Sequence, residues 1–210
     1  STRLAVGSYI GDGFNQSANT TGEVYLFTFA DSTNQDFTGG SLAAMVGEGY
    51  NNNYSSANPR NSKDINIDID SGDSFGSGVA LYYDSVLDAH RLAIVANAGD
   101  GDSNGETNTG DVYLITFTDD DFSGGSHVGS IGEDYSGTYS TELDLGVGNE
   151  VISMTEVSLD GNYLALGSYL GDGSGNAVTN SGQVYIFSYT SNTAATQFSD
   201  ITLEGTIGSG

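Results

Sequence analysis

The chain has no cysteine, no tryptophan, one proline and only four Lys and Arg residues among 210. Without cysteine, neither a disulfide framework nor a thiolate metal site can form. Four cations against 28 Asp and Glu leave a formal charge of -24. That balance argues against nucleic acid as a partner, because phosphate binding needs a basic footprint. It argues equally against an anionic membrane surface. No apolar run is long enough to span a bilayer, and no charged-then-apolar segment opens the chain as a secretory signal does. A compact chain this acidic repels itself, so bound cations or high salt must offset the charge. What the chain does have is 31 glycines, 13 tyrosines and 9 phenylalanines, a composition that favours strands and tight turns over helices.

One arrangement occurs three times. A strand reads RLAVGSYIGDG from Arg3, RLAIVANAGDG from Arg91 and YLALGSYLGDG from Tyr163. A loop rich in Asp, Asn and Gly follows, and then GEVYLF, GDVYLI and GQVYIF. The step from the first Gly of GDG to the Gly before the second strand is 11 residues in every copy (11 to 22, 99 to 110, 171 to 182). Such a fixed period is the signature of a repeat architecture. Residues 36–50 match residues 121–135, and residues 197–210 close the third copy more loosely. Further strands are expected at 75–84 and 151–159, the latter turning through Asp160-Gly161. Residues 64–70 alternate Ile with acid or amide, as a strand with one buried face does. The expected fold is all-β: three tandem four-stranded antiparallel blade-like repeats. The first spans 1–50 and lacks its first strand, a surface loop spans 51–63, and the others span 64–135 and 136–210.

In the middle copy the loop places Asp100, Asp102, Asn104 and Asn108 at positions 1, 3, 5 and 9, with Gly105 at position 6. Alternate oxygen side chains that converge on one point, with Gly at the sharp turn, are the logic of a Ca2+ loop. Glu106 at position 7 would give its backbone carbonyl, and Asp111 stands at position 12. Hard oxygen donors without cysteine favour Ca2+ over a transition metal. The outer copies carry fewer acids: Asp12 and Gln16 in the first, with Phe14 in the place of the second acid, and Asp172, Asn176 and Asn180 in the third. The competing reading is three Asx-rich turns that need no metal.

These residues resemble the FG-GAP repeats of integrin α-subunit propellers and their bacterial relatives. The middle copy carries most of the resemblance, with FGSGVAL from Phe75, RLAIVANAGDG, the acidic loop and GDVYLITF. The run from VYLFTF to MVGEGY also looks like tandem repeats of very large bacterial surface proteins. The resemblance implies four-stranded blades with hairpin Ca2+ loops, in which Asp100, Asp102, Asn104 and Asn108 match the ligand positions. The third copy departs from it, with Val151-Ile152 in the place of Phe-Gly. A closed propeller takes four or more blades, so an incomplete propeller completed by neighbouring chains or repeats is expected. A sheet short of one strand presents unpaired backbone groups that invite pairing with another chain.

No nucleophile or catalytic-base motif marks an enzyme. His90 and His127 are expected at the surface, and the run Asp119-Asp120-Asp121 as a solvated turn. The leading expectation is a non-enzymatic structural module of an extracellular fibre, filament or adhesin, rigidified by Ca2+ and joined head to tail to further copies of itself. A lectin-like or protein-binding module at the cell surface, recognising a glycan or a surface protein, is the alternative. A propeller hydrolase is third.

Overall fold

The computed structural model describes residues 2–14, 19–30, 37–50, 62–102, 108–135, 141–146, 154–173, 178–194 and 197–208. Among these residues there is no α-helix, and the strands form three sheets. The first contains, in order, β1 (Thr2–Ser8), β2 (Glu23–Phe29), β3 (Ser41–Gly47) and β4 (Ile65–Asn66). The second contains β5 (Phe75–Asp84), β6 (Ala89–Ala96), β7 (Asp111–Thr116), β8 (Ser126–Gly132) and β9 (Leu143–Asp144). The third contains β10 (Met154–Asp160), β11 (Tyr163–Ser168), β12 (Gln183–Thr190) and β13 (Ser199–Gly208). Neighbours pair antiparallel, except that the two-residue strands β4 and β9 lie parallel to β3 and β8. The chain is therefore all-β, with blade-like sheets of four, five and four strands.

The repeats hold their register in three dimensions. Arg3 faces Thr28, Arg91 faces Thr116 and Tyr163 faces Ser188 across the corresponding strand pairs. The next pair of each sheet shifts register at one equivalent place, Leu26/Phe27, Leu114/Ile115 and Ile186/Phe187. A slip of one residue would turn every apolar side chain to the wrong face. The hairpin from β10 to β11 closes at Asp160 and Tyr163, with Gly161 at φ +57 in the first central position. Positive φ there is what a tight hairpin requires and what glycine supplies without steric cost.

The sheets stack face to face, and period-2 alternation sorts their side chains between two cores. On β6, Leu92 and Ile94 join Val24, Leu26 and Val46 of the first sheet, while Ala93 and Val95 join Leu164 and Leu166 of the third. Strands covered on both faces read as continuous apolar runs, and β6 and β7 are buried throughout. Ile65, Ile67 and Ile69 enter the core between the first and second sheets, and Asn66, Asp68 and Asp70 are exposed. Of this alternating segment only Ile65–Asn66 forms a ladder, and it belongs to the first sheet.

Glycine fixes how closely the sheets approach. Phe75 at the start of β5 bridges Gly22 in parallel, its N–H donating to the Thr21 carbonyl at 2.9 Å. A Cβ on Gly22 would lie 1.9 Å from the Phe75 carbonyl oxygen, and its φ is +89. A side chain at that position would therefore prise the second sheet away.

Two of the scarce cations, Arg3 and Arg91, join successive sheets. Arg3 on β1 reaches the β7–β8 turn, where Nε donates to the Asp120 carbonyl at 2.6 Å and the guanidinium pairs with Asp120 and Asp121 at 3.2 and 2.7 Å. The acidic run is thus a docking point for Arg3, and Asp119 caps it by accepting from the Asp121 and Ser123 N–H groups. Arg91 holds the equivalent place on β6. Its guanidinium is buried, pairs with Asp84, donates to the Gly161 carbonyl at 2.9 Å and lies over the rings of Tyr82 and Tyr189. Removing one partner of a buried pair leaves an uncompensated charge. Arg91→Met is expected to lower unfolding stability by about 3 kcal/mol, and Arg3→Met, whose partners Asp120 and Asp121 are half-buried and exposed, by about 1 kcal/mol. Urea melts of both variants check the ranking, and equal losses would contradict it.

Candidate functional site: the acidic hairpin loops

All three loops are built on one backbone clamp. Gly22 donates to the Gly11 carbonyl at 2.8 Å, Gly110 to Gly99 at 2.9 Å and Gly182 to Gly171 at 2.9 Å. Within the clamp the first acid accepts a backbone N–H eight residues on. Asp12 Oδ1 accepts from Thr20 at 2.9 Å, Asp100 Oδ1 from Asn108 at 2.7 Å and Asp172 Oδ1 from Asn180 at 2.7 Å. Thr20, Asn108 and Asn180 all adopt φ of 53 to 54. Asn tolerates that region, whereas β-branched Thr is strained there. The clamp is tied to the following corner, since Phe14 donates to the Glu48 carbonyl at 2.9 Å and Asp102 to the Glu133 carbonyl at 3.1 Å.

The first acid of each loop therefore has a hydrogen-bonding role that needs no metal. Asn108 and Asn180 meet it through their backbone. Gln16, Asn104, Glu106 and Asn176 lie outside the described residues. Among the described residues no three His, Asp or Glu side chains form a group able to hold a metal ion.

Asp111 opens β7 and is buried beneath the loop. Gly99 and Gly132 leave room for it, for a Cβ on either would stand 2.2 or 2.4 Å from its carboxylate oxygens. Tyr135 and the Gly101 N–H hydrogen-bond to the carboxylate. Its Oδ1 has no partner among the described residues. Burial, reinforced by the nearby Asp73 carboxylate, raises its pKa to about 7. Asp73, itself buried just ahead of β5, is raised to about 6 by burial, with Asp70 and Asp100 adding to the effect. In the first sheet Glu23 holds the place of Asp111 and accepts from the hydroxyls of Tyr25 and Tyr50. In the third sheet the position is Gln183.

Asp73 is the member of this cluster that sequence reading misses. It precedes its strand by two residues, outside the loop pattern, and only the fold brings it beside Asp100 and Asp111. His90 corrects the surface expectation. It is 4% exposed, on β6, its ring 5.1 Å from Tyr83 and 4.9 Å from Phe122. His127 is half-buried against Tyr113, its Nε2 3.0 Å from the Gly129 carbonyl oxygen. Burial lowers both imidazoles to about 4.

The chain gives no match to protein-family models or to curated protein sequences.

The carboxylate cluster makes a pH prediction. A folded pKa raised above the unfolded value means that Asp111 stabilises the protein below about pH 4 and loses that contribution as pH rises through about 7. The two histidines act in the opposite sense, since their stabilising contribution is present above about 6.5 and is lost as pH falls through about 4. The difference between Asp111→Asn and the parent isolates the carboxylate. In chelator, the variant is expected to melt higher than the parent at pH 7.5 and to lose that advantage progressively as pH falls from about 7 to about 4. An advantage that does not change with pH would refute the assignment.

Proposed function

We propose that this chain is a non-enzymatic structural repeat module of an extracellular fibre, filament or adhesin, of the FG-GAP propeller type, tied by Ca2+ at its acidic hairpin loops. The observation that carries the reading is the buried Asp111 carboxylate, with one oxygen unpartnered among the described residues and two further carboxylates, Asp73 and Asp100, close by. A buried carboxylate that feels two neighbouring acids, beside a loop rich in hard oxygen donors, suits Ca2+. A cation there would offset both the local repulsion and part of the charge of -24. Asp100, Asp102 and Asp111, with Asn104, Asn108 and the Glu106 carbonyl, are the residues of this chain that would hold it, joined by Asp73.

The repeated clamp supports a mechanical role, because it ties the ends of two strands at the same place in every copy. Each sheet leans on the next through apolar faces, as in repeat arrays whose units cannot bury a core alone. Tyr9 and Tyr169, at equivalent places beside the outer loops, are both more than half exposed. They favour a second reading, in which the loop rim binds a glycan or a surface protein.

Thermal melts in chelator and in millimolar Ca2+, each repeated in molar NaCl, test the calcium tie. Binding at 100 times Kd adds about 2.7 kcal/mol per site. The melting temperature is expected to rise with Ca2+ and not with NaCl. Asp100→Ala should abolish most of that rise and cost about 1 kcal/mol even in chelator, through the lost cap on Asn108. An equal response to NaCl alone would reduce the loops to ordinary turns.

A further inference from the structure

The third sheet carries a groove of about 340 Å³ at the loop end of its outer face, lined by Thr155, Ser168, Gly182, Gln183, Val184 and Ile207 among others. Its lining is repeated in the first two sheets. Val184 pairs with Gly167 and Ile207, as Val24 pairs with Gly7 and Val46, and Val112 with Val95 and Ile131. In those two sheets the groove is filled. Over the first sheet sits the start of β5, with Phe75 bridging Gly22 and Gly76 so close to Gly7 that a Cβ there would stand 2.0 Å from the Gly76 carbonyl oxygen. Over the second sits the start of β10, with the Met154 nitrogen 3.2 Å from a Cβ placed on Gly110 and the Thr155 carbonyl against Gly78. Val46 and Ile131 are accordingly fully buried, whereas Ile207 is 66% exposed.

We propose that this groove is the seat of a β-strand from a further repeat of the same kind. The occupant opens with a large apolar side chain followed by glycine or a small residue. Two filled examples in one chain define it: Phe75-Gly76 and Met154-Thr155 both pack an apolar side chain into a core and bring main chain against glycine. The leading N–H of the incoming strand would meet the Ser181 carbonyl, since Ser181 holds the place of Thr21, the acceptor for Phe75. Main-chain hydrogen bonds and one anchoring side chain are the terms on which an extended segment is recognised. The inference rests on the reading of the chain as a repeat module and names the partner of its third sheet.

The test uses the whole chain and a synthetic peptide of residues 74–84 carrying C-terminal lysines. The amides of Gly167, Gly182, Val184 and Ile207 are followed by NMR during titration. Saturable shifts confined to these positions are expected. A peptide with Phe75→Ser should bind about tenfold or more weakly, the factor that burying one phenyl ring carries. Ile207→Glu, at an exposed position, should lose the shifts while its circular dichroism stays unchanged. No saturable shift at millimolar peptide, equal binding of the Phe75→Ser peptide, or shifts elsewhere would overturn the proposal. The calcium melt is a separate readout. Failure of the peptide beside a calcium-specific rise removes the groove alone, and a flat melt beside specific peptide binding removes the calcium tie alone.

Discussion

Everything in this fold depends on one contact, the seating of each sheet's opening strand on the glycine-lined end of the sheet before it. Phe75 on Gly22 and Met154 on Gly110 set the distance between layers. Once that distance is set, Leu92 and Ile94 reach one core while Ala93 and Val95 reach the other. On β6 the small residues lie on one face and the larger ones on the other, which lets similar units stack closely. The outer faces show what stacking removes. Leu4 and Val6 on β1 are 38% and 42% exposed, whereas Leu92, Ile94, Leu164 and Leu166, at the same places in the other repeats, are fully buried.

Charge is the second constraint. A chain with this excess of acid cannot use ion pairs freely, and two of its four cations lie between layers. Arg3 and Arg91 occupy one repeat position, and each crosses to the following sheet. At that position the third repeat has Tyr163, which is exposed. Gln197 supplies a neutral counterpart, donating from the third sheet to the Phe117 carbonyl of the second at 2.8 Å.

The acidic loops combine two kinds of chemistry. Their clamp is satisfied internally, by glycine-to-glycine hydrogen bonds and by a carboxylate accepting a main-chain N–H. Beneath the middle loop the balance differs. Asp111, Asp73 and Asp100 are gathered where burial opposes charge, and hydrogen bonds from Tyr135 and Gly101 only partly offset the cost. Glu23 in the first sheet meets the same problem with two tyrosine hydroxyls, and Gln183 in the third removes the charge. One strand-opening position thus has three solutions, and the middle repeat is the one whose acid keeps an oxygen without a partner among the described residues.

The sequence alone determined the all-β class, the three copies and their loops of equal length, because period-2 alternation and the 11-residue spacing are local properties of the chain. It marked Asp100 and Asp111 as neighbours of one loop for the same reason. The tertiary structure alone decided that residues 64–70 lean on the first sheet, that Asp73 joins the acidic cluster, that His90 is buried between Tyr83 and Phe122, and that Asp120 and Asp121 receive Arg3. Each of these unites residues from different repeats or from distant places in one repeat. Local pattern shows which face of a strand is apolar, but not which layer will cover it.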